Sequence, residues 1–459
     1  MKKHEELFSR GVSMFVDPDN VFRQKVEAKI RGEYPNDIVI KLGADPTRPD
    51  IHLGHAVVLR KLRAFQDIGC KIVFLIGDYT TQIGDPTGKS KVRPEISQKE
   101  IEANMKTYID QVGKILNMDS SVFSWIRNSD WFLDVVDIFA DTNSSVTINN
   151  EQHTSHITVP SNSFLGKSVI FENTRMQKTH LGNKHINTVS FTRVLATLRH
   201  VTHARLIARD LFQDRLQSGN ELYMHEMLYP VLQGIDSSMI ASIYGSCDLE
   251  IGGTDQTFNM LMGRDVMKIN RQPEQAVMAM DILEGLDGKE KMSKSLDNYI
   301  GVADDSNDMY GKVMSIPDAL IPRYFSLASY TPVDEVEKIK NMLEAGDGNP
   351  RDLKMRLARE IVAIYHGEKA SQEAEQNFVD TFSKGKIPEN VTEISVDENA
   401  DIIEAIIQSG CASSKTEARR LVDDGAVTFL DNDTKITTHG SVVKKGTYRV
   451  GKHRFFKVV

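Results

Sequence analysis

Lys291-Met292-Ser293-Lys294-Ser295 puts two ammonium groups and two hydroxyls on one short segment. That is chemistry suited to negative charge that builds up in a transition state. Far upstream, Asp45-Pro46-Thr47 and His52-Leu53-Gly54-His55 supply small polar and imidazole donors beside a glycine, where a phosphate can approach the backbone. Each stretch alone is a weak signal. In this order, and most of a domain apart, they describe a nucleotide site assembled from two halves of one fold. Simpler readings compete with each. His52 and His55 have the spacing of zinc ligands, but no third ligand is near in sequence and the glycine between them fits phosphate approach better. Lys291 to Ser295 also reads as a solvated turn. Gly84 to Gly88 reads as a tight turn, since the Walker spacing is absent.

The elements that must position these residues follow from hydrophobic patterning. The chain has 459 residues, of which 40% are hydrophobic and 26% charged, ordinary for a globular chain with room for more than one domain. Residues 1–35 read as a helical lead-in. Asp37 to Gly43 reads as a buried strand, Ile51 to about Ile68 as a helix with Leu53, Val57, Leu59, Leu62 and Phe65 on its apolar face, and Lys71 to Asp78 as a second buried strand. Strand, helix, strand is a right-handed βαβ unit. Ligands in such sheets sit at the carboxyl ends of strands, where Asp45, Asp78 and the Ile83-Gly84-Asp85-Pro86-Thr87-Gly88 loop fall.

Residues 142–187, rich in Asn, Ser, Thr and His, break the pattern and read as an inserted polar excursion with short alternating runs at His156–Val159 and Ser168–Phe171. Helical periodicity resumes at Val189 and leads into a helix from Tyr223 to Gln233. Residues 301–387 read as all-helical, 388–399 as an acidic linker, and 400–459 as a small module of two helices followed by strands at Val427–Leu430 and Thr447–Val450. Cys70, Cys247 and Cys411 are too few and scattered for a disulfide framework or a zinc site. The opening residues lack the apolar run of a secretion signal, and no stretch approaches a membrane span. A reduced cytoplasmic protein is the expectation, with no metal held by the protein itself.

The tail has its own electrostatics. From Ser413 onward ten Lys or Arg face five acids, a net +5 in a chain of net charge −8. A solvated charged surface explains this as well as phosphate binding does. Ser414 to Val422 tips the balance, because a capped helix carrying Lys415, Arg419 and Arg420, followed by Gly425 and strands ending in Lys452 and Arg454, presents cations as an RNA-binding unit would.

At this point the residues resemble a family. His52 to His55, Lys291 to Ser295, Gly84-Asp85-Pro86-Thr87-Gly88-Lys89, Tyr229-Pro230-Val231-Leu232-Gln233-Gly234-Ile235-Asp236 and Ile251-Gly252-Gly253-Thr254-Asp255-Gln256 are similar to motifs of the tyrosyl-tRNA synthetases, class I aminoacyl-tRNA synthetases. The form resembled is the bacterial one that ends in an RNA-binding domain like that of the fourth small-subunit ribosomal protein. The resemblance runs from about residue 36 to the C-terminus, the insertion excepted. It implies a Rossmann-like α/β catalytic domain over residues 36–300, an all-helical anticodon-arm domain over 301–387, and a small α+β RNA-binding domain over 400–459. It also implies a homodimer, with tyrosine, tRNA and ATP accompanied by Mg2+ as partners. The carboxylate of tyrosine would attack the α-phosphorus of ATP, so catalysis is positioning and charge stabilisation.

Residue by residue, the resemblance assigns Thr47, His52 and His55 to ATP phosphates, with Gly54 leaving room, and Lys291 and Lys294 to the β- and γ-phosphates. Lys89 and Arg93 would add phosphate contacts. Tyr229 and Gln233 would meet the substrate ammonium with Asp85 as its anionic partner, and Asp236 would accept from the tyrosine hydroxyl. Asp45 and Gln256 would border the substrate, while Asp255, beside Gly253, would hold the ribose. One position departs. Four residues before Asp45, where many members carry a tyrosine that shares the substrate hydroxyl, stands Lys41. It is expected to border that hydroxyl, pair with Asp236 or point away. Two alternatives stay open on the sequence: a tryptophanyl-tRNA synthetase, and an RNA-binding protein whose synthetase domain is a relic.

Overall fold

The computed structural model describes residues 2–48, 50–85, 96–132, 138–140, 145–149, 154–158, 175–176, 185–186, 189, 191–207, 209–383, 391–396, 400–412, 414–432, 434–451 and 454–459. The chain divides into two compact units, residues 1–303 with 317–345, and residues 304–316 with 346–459.

The first unit begins with α1 (Lys2–Ser9), β1 (Val12–Val16), α2 (Val21–Ile30), β2 (Val39–Ala44), α3 (Leu53–Gln66) and β3 (Lys71–Ile76). It continues through α4 (Asp78–Ile83), α5 (Gln98–Val112), β4 (Phe123–Arg127) and α6 (Ser129–Phe132). Just before the excursion lies β5 (Ile138–Ala140), which forms an antiparallel sheet with β6 (Ser145–Asn149) and β7 (Thr154–Thr158) inside it; the short pair β8 (Arg175–Met176) and β9 (His185–Ile186) also lies within it. The alternating run at residues 168–171 lies outside the described residues. Then follow α7 (Phe191–Leu198), α8 (His203–Ile207), α9 (Asp210–Gln217), α10 (Met224–Tyr244), β10 (Leu249–Gly253), α11 (Thr257–Ile269) and β11 (Ala276–Met280).

The main sheet has strand order β1-β11-β10-β2-β3-β4. All its neighbours are parallel except β1, which pairs antiparallel with β11. From β2 the chain winds outward through β3 to β4, and from β10 it winds the other way to β11, so the order reverses between β2 and β10. That reversal is the topological switch point of a doubly wound sheet, where a crevice opens at the carboxyl ends of the strands. Ile72 to Ile76 and Ala276 to Met280 are buried throughout, as strands covered on both faces must be.

The N-terminal lead-in is not purely helical, and β1 corrects that expectation. Val12 to Val16 is short, and its pairing partner is β11, far along the chain. No local pattern announces such a contact. Phe8, Phe15, Phe22 and Phe65 then pack with centroids 5.6 to 6.4 Å apart, Phe8 tilted against Phe15 and the other pairs edge to face, fixing the lead-in to α3.

After the main sheet come α12 (Ser306–Met314) in the second unit, and α13 (Ile321–Ala328) and α14 (Val333–Ala345), which cluster with the first unit rather than with the other helices of the 301–387 range. Arginine side chains tie α13 in. Arg10 donates to the carbonyls of Ser326 at 2.9 Å and Phe325 at 3.1 Å, and Arg60 donates to that of Leu327 at 3.1 Å. These are the carbonyls a helix end leaves unsatisfied, and cations belong there.

The second unit contains α15 (Pro350–His366), α16 (Glu368–Ser383), β12 (Thr392–Ile394), α17 (Ile402–Gln408), α18 (Lys415–Asp423), β13 (Val427–Phe429), β14 (Thr434–Ile436), β15 (Gly446–Val450) and β16 (Arg454–Val458). Its sheet runs β12-β16-β15-β13-β14. The segment read as a linker therefore contains a strand: β12 pairs parallel with β16, joining Thr392 to Phe456 and Ile394 to Val458. Its acidic flanks hide this, because only Ile394 of the strand is buried.

One glycine controls how closely α10 meets α11. A Cβ on Gly234 would lie 2.7 Å from Val266 Cγ2 and 3.0 Å from the Met262 carbonyl oxygen, a backbone atom that cannot swing away. Gly234→Ala is therefore expected to destabilise the protein by about 1–3 kcal/mol through overpacking, read as a lowered thermal midpoint; an unchanged midpoint would show that the helices separate freely.

Candidate active site

The amino end of α3 carries the histidine element. His52 caps the helix in an extended conformation, and its backbone N–H donates to His55 Nδ1 at 3.3 Å. The two rings lie against each other with centroids 3.9 Å apart. A Cβ on Gly54 would stand 3.0 Å from the His52 ring and 3.6 Å from Met292 Cβ. The tight contact is with the folded-back imidazole, which glycine accommodates, whereas Met292 would meet a Cβ at ordinary van der Waals distance.

Burial and the charges of Lys294 and Lys291 hold both imidazoles neutral. His52 is pushed far below its ordinary value, mainly by burial and then by His55, and His55 is pushed down to about 4. At neutral pH these rings act as uncharged hydrogen-bond donors and acceptors. Among the described residues, no three His, Cys, Asp or Glu side chains converge as metal ligands would.

The segment Lys291–Ser295 lies beside the start of α3 because the chain following it pairs there. The Leu53 N–H donates to the Ile300 carbonyl and the Val302 N–H to the Ile51 carbonyl, each at 2.9 Å. Asn298, buried, clamps the segment. Its Oδ1 accepts from the Ser293 N–H at 2.8 Å, and its Nδ2 donates to Asp287 at 2.8 Å and to the Lys291 carbonyl at 3.3 Å. Lys291 Nζ donates to Asp255 at 2.9 Å. Lys294 is turned inward, its ammonium 5.8 Å from the Tyr108 ring centroid and lowered by burial to about 8, with Asp50 opposing that shift. His52 Nδ1 and Lys294 Nζ are buried without a hydrogen-bond partner among the described residues. Two such polar groups, an ammonium and an imidazole nitrogen, beside a helix amino end are suited to an anionic ligand.

Across the switch point lies a second cluster, built on α10. Tyr229 donates its hydroxyl to Asp45 Oδ2 at 2.8 Å, and Thr80 donates to Asp45 Oδ1 at 2.9 Å. Gln256 donates to the buried Asp85 at 2.7 Å. Deeper in, Asp236 accepts from Trp131 Nε1 at 3.0 Å and Asn128 Nδ2 at 3.4 Å. Burial pushes its carboxyl up to about 7, with Lys41 the strongest opposing influence.

Lys41 does not pair with Asp236 and does not point away. It is fully buried, with Nζ 2.9 Å from Glu250 Oε1, 2.9 Å from Ser237 Oγ and 3.1 Å from the Gln233 carbonyl. Lys41 and Glu250 are register partners on β2 and β10, the two strands flanking the switch point. An ammonium has three donors, and all three are used inside the protein. The expected direct contact between Lys41 and a substrate hydroxyl is thereby replaced by an internal ion pair.

Thr47 lies half-buried in the turn after β2, its N–H donating to the Asp45 carbonyl at 2.8 Å. Gly253 ends β10, two residues before Asp255. Lys89, Arg93 and Lys452 lie outside the described residues. In the second unit, Lys415, Arg419 and Arg420 are exposed on α18 while Ala418 and Val422 are buried beneath. Arg454 is tied to the same helix, donating to Glu417 at 3.0 Å.

Sequence reasoning missed several neighbours. Glu250, Ser237, Gln275, Trp131, Asn128 and Asn298 belong to no short motif. Glu250 left one trace, an acid inside the apolar run Leu249-Glu250-Ile251, matched by a lysine inside Val39-Ile40-Lys41-Leu42. Arg209, at the start of α9, was also missed. Its buried guanidinium lies 5.2 Å from the Phe212 ring centroid and 5.8 Å from that of Phe258, and it is influenced by Asp85, Asp255 and Tyr229.

The chain is similar to known proteins in sequence and fold. Residues 34–150 and 132–383 match the family described as tRNA synthetases class I (W and Y). A tyrosine--tRNA ligase of Francisella tularensis is 35% identical over 462 residues, spanning 100% of this chain and 99% of its own. One of Moorella thermoacetica is 37% identical, over 98% of this chain and 95% of its own. In fold, a C-terminally truncated mitochondrial tyrosyl-tRNA synthetase of Aspergillus nidulans aligns with a TM-score of 0.56 at 19% identity, over 83% of this chain and 94% of its own. The tyrosyl-tRNA synthetase of Archaeoglobus fulgidus aligns at 0.53 and 18%, over 82% and 99%. With relatives this similar along its whole length, the chain belongs to the tyrosyl-tRNA synthetases, among the class I aminoacyl-tRNA ligases.

Proposed function

We propose that the protein joins tyrosine to ATP as tyrosyl-adenylate, releasing pyrophosphate, and then transfers tyrosine to the 3′ end of its tRNA. The observation that carries this reading is the pairing of two clusters at one switch point. One is an anion-seeking group with neutral imidazoles and two lysines. The other is a pocket whose polar groups suit a zwitterion with a phenol.

In this reading the tyrosine ammonium meets Asp85, Tyr229 and Gln233, and its hydroxyl donates to Asp236. Asp45 and Gln256 border the forming adenylate, and Asp255 holds the ribose beside Gly253. Thr47, His52 and His55 donate to phosphate oxygens at the amino end of α3. Lys291 and Lys294, with Lys89 and Arg93, take up the charge that gathers on the departing pyrophosphate. No side chain acts as a nucleophile; the carboxylate of tyrosine does. Mg2+ enters with ATP as part of the substrate.

The exposed cations of α18, with Arg454 and Lys452, take the phosphates of tRNA. A second copy of the chain is the further partner proposed, supported by large apolar side chains exposed on α7 and at the start of α10, Phe191 at 71% and Met224 at 69%. Among the described residues no helix is long and apolar enough to cross a membrane, and a cytoplasmic location is proposed with the rest.

The test is amino-acid-dependent exchange of pyrophosphate into ATP across the standard amino acids. Exchange with tyrosine alone supports the reading; exchange with tryptophan alone would move the chain to the neighbouring specificity, and exchange with none would favour the relic.

Lys294→Ala is expected to slow activation by about a hundredfold while leaving tyrosine binding within about twofold. Because burial lowers the Lys294 ammonium to about 8, its charge is full below that pH and lost above it. The kcat/KM for ATP should therefore fall on the alkaline side of about 8, and this limb should vanish in Lys294→Ala. A limb unchanged in the variant would remove Lys294 from the site.

Arg419→Glu with Arg420→Glu should leave pyrophosphate exchange intact and weaken tRNA charging. The slope of log binding constant against log salt should fall by about 1.5 to 2. An unchanged slope would place the tRNA elsewhere.

A further inference from the structure

Directly behind the proposed amino-acid pocket sits a buried polar network in which Lys41 and Glu250 are fully engaged by protein groups. Glu250 Oε1 lies 2.9 Å from Lys41 Nζ and accepts from Gln233 Nε2 at 3.0 Å, while Oε2 accepts from Ser237 at 3.0 Å and Gln275 at 2.5 Å. Lys41 donates to the carbonyl of the same Gln233. The pair thus grips Gln233 from both sides, by its backbone through Lys41 and by its amide through Glu250. One helical turn further along α10 stands Asp236, on which both charges act in opposite senses.

From this geometry we infer that Lys41 and Glu250 are positioning residues that set the specificity of the pocket: they fix Gln233 and govern the charge of Asp236, making a phenolic donor necessary. The inference rests on the proposed reading of Asp236 as the acceptor for the tyrosine hydroxyl.

The charged groups acting on Asp236 are Lys41 from β2 and Glu250 from β10; Asn128, in the turn after β4, and Trp131, on α6, contribute neutral donors. Burial holds Asp236 near neutrality, so a small change in these two charges decides whether it is a carboxylate or a carboxylic acid at physiological pH. A buried carboxylate facing phenylalanine keeps Trp131 and Asn128 but lacks the phenolic donor, leaving its desolvation only partly offset, whereas the neutral acid loses far less. Lys41 favours the carboxylate and Glu250 opposes it. Removing one or the other should therefore move Asp236 in opposite directions, which a purely structural role would not do.

Trp131 supplies a readout independent of catalysis, because its indole donates directly to Asp236. The chain has two tryptophans, so Trp125→Phe leaves Trp131 as the single reporter. In that background, Trp131 fluorescence of the full-length protein is titrated with pH, alone and with Lys41→Met or Glu250→Gln. The starting midpoint is expected near 7. Lys41→Met should raise it by about one unit or more and Glu250→Gln should lower it by a similar amount. Glu250→Gln leaves Lys41 hydrogen-bonded to an amide, so it tests the inference even where Lys41→Met does not fold. Shifts in the same direction, or a Glu250→Gln midpoint that stays or rises, would overturn it.

Pyrophosphate exchange then compares tyrosine with phenylalanine at a pH of about 7.5, where Lys41→Met should lower the ratio of kcat/KM values by about tenfold. Opposed titrations with an unchanged ratio would overturn the specificity claim. Opposed titrations in a protein that performs no tyrosine-dependent exchange would keep the electrostatic coupling and sink the reading of the pocket instead.

Discussion

The catalytic unit is organised around one buried ion pair. Lys41 and Glu250 sit opposite each other on β2 and β10, where the winding of the sheet changes direction. Bringing both charges out of water costs several kcal/mol each, repaid only with close geometry and full hydrogen bonding; removing one partner from such a pair costs about 3–5 kcal/mol. Here the ammonium meets three acceptors and the carboxylate oxygens meet Lys41 and three further donors. Such a pair contributes little net stability over an apolar substitute. It does fix a register. Sliding β10 against β2 by one residue would turn Glu250 to the opposite face and leave Lys41 charged and alone. The carboxyl ends of the two strands, with Asp45 on one side and Gly253 and Asp255 on the other, are thereby held opposite each other.

Everything facing that crevice inherits the constraint, but the two sides treat charge differently. On the α10 side, donors and acceptors find each other: Tyr229 and Thr80 hold Asp45, Gln256 holds Asp85, and Trp131 with Asn128 holds Asp236. On the α3 side, His52 Nδ1 and Lys294 Nζ are buried without protein partners among the described residues. An unpaired buried polar group costs about 1–3 kcal/mol. Keeping both imidazoles neutral limits repulsion from Lys291 and Lys294, so the two cations can gather beside the amino end of α3, where the helix favours an anion. A preorganised site of this kind does not have to reorient its dipoles when charge develops.

What the sequence made legible divides along the range of the interactions. The βαβ unit, the α3 helix and the α10 helix follow from apolar periodicity, which is local, and their observed bounds differ from the expected ones at the ends. The histidine and lysine elements stand out because their residue types are improbable together. Lys41 was legible as a departure but not in its consequence, since its partner lies on a strand more than two hundred residues later and no motif links them. The same physics hides β1 and β12. Each is a short strand whose partner, β11 or β16, is remote in sequence, and an edge strand needs few buried side chains to announce it. Asn298 escaped for a different reason: its work is to accept from the Ser293 N–H and donate to the Lys291 carbonyl, and backbone groups have no sequence signature.

The contrast between the two lysines of the segment bears on how such a site opens and closes. Lys291 rests on Asp255, but the two side chains are 42% and 27% exposed, and an ion pair so open to solvent is worth about 1 kcal/mol or less. Phosphate oxygens and a ribose can displace it at small cost. Lys294 is in the opposite position: its ammonium is buried against the face of Tyr108 without a hydrogen-bond partner among the described residues, and burial lowers its affinity for protons, with Asp50 opposing. Giving up this conformation costs the protein little at Lys291 and relieves it at Lys294. Asn298 holds the backbone at both ends of the tripeptide Lys291 to Ser293, so such a rearrangement is confined to side chains and to the residues after Ser293. The cheap contact and the unfavourable one therefore act in the same direction, and both favour exchange of the present arrangement for one in which the two ammonium groups share a polyphosphate.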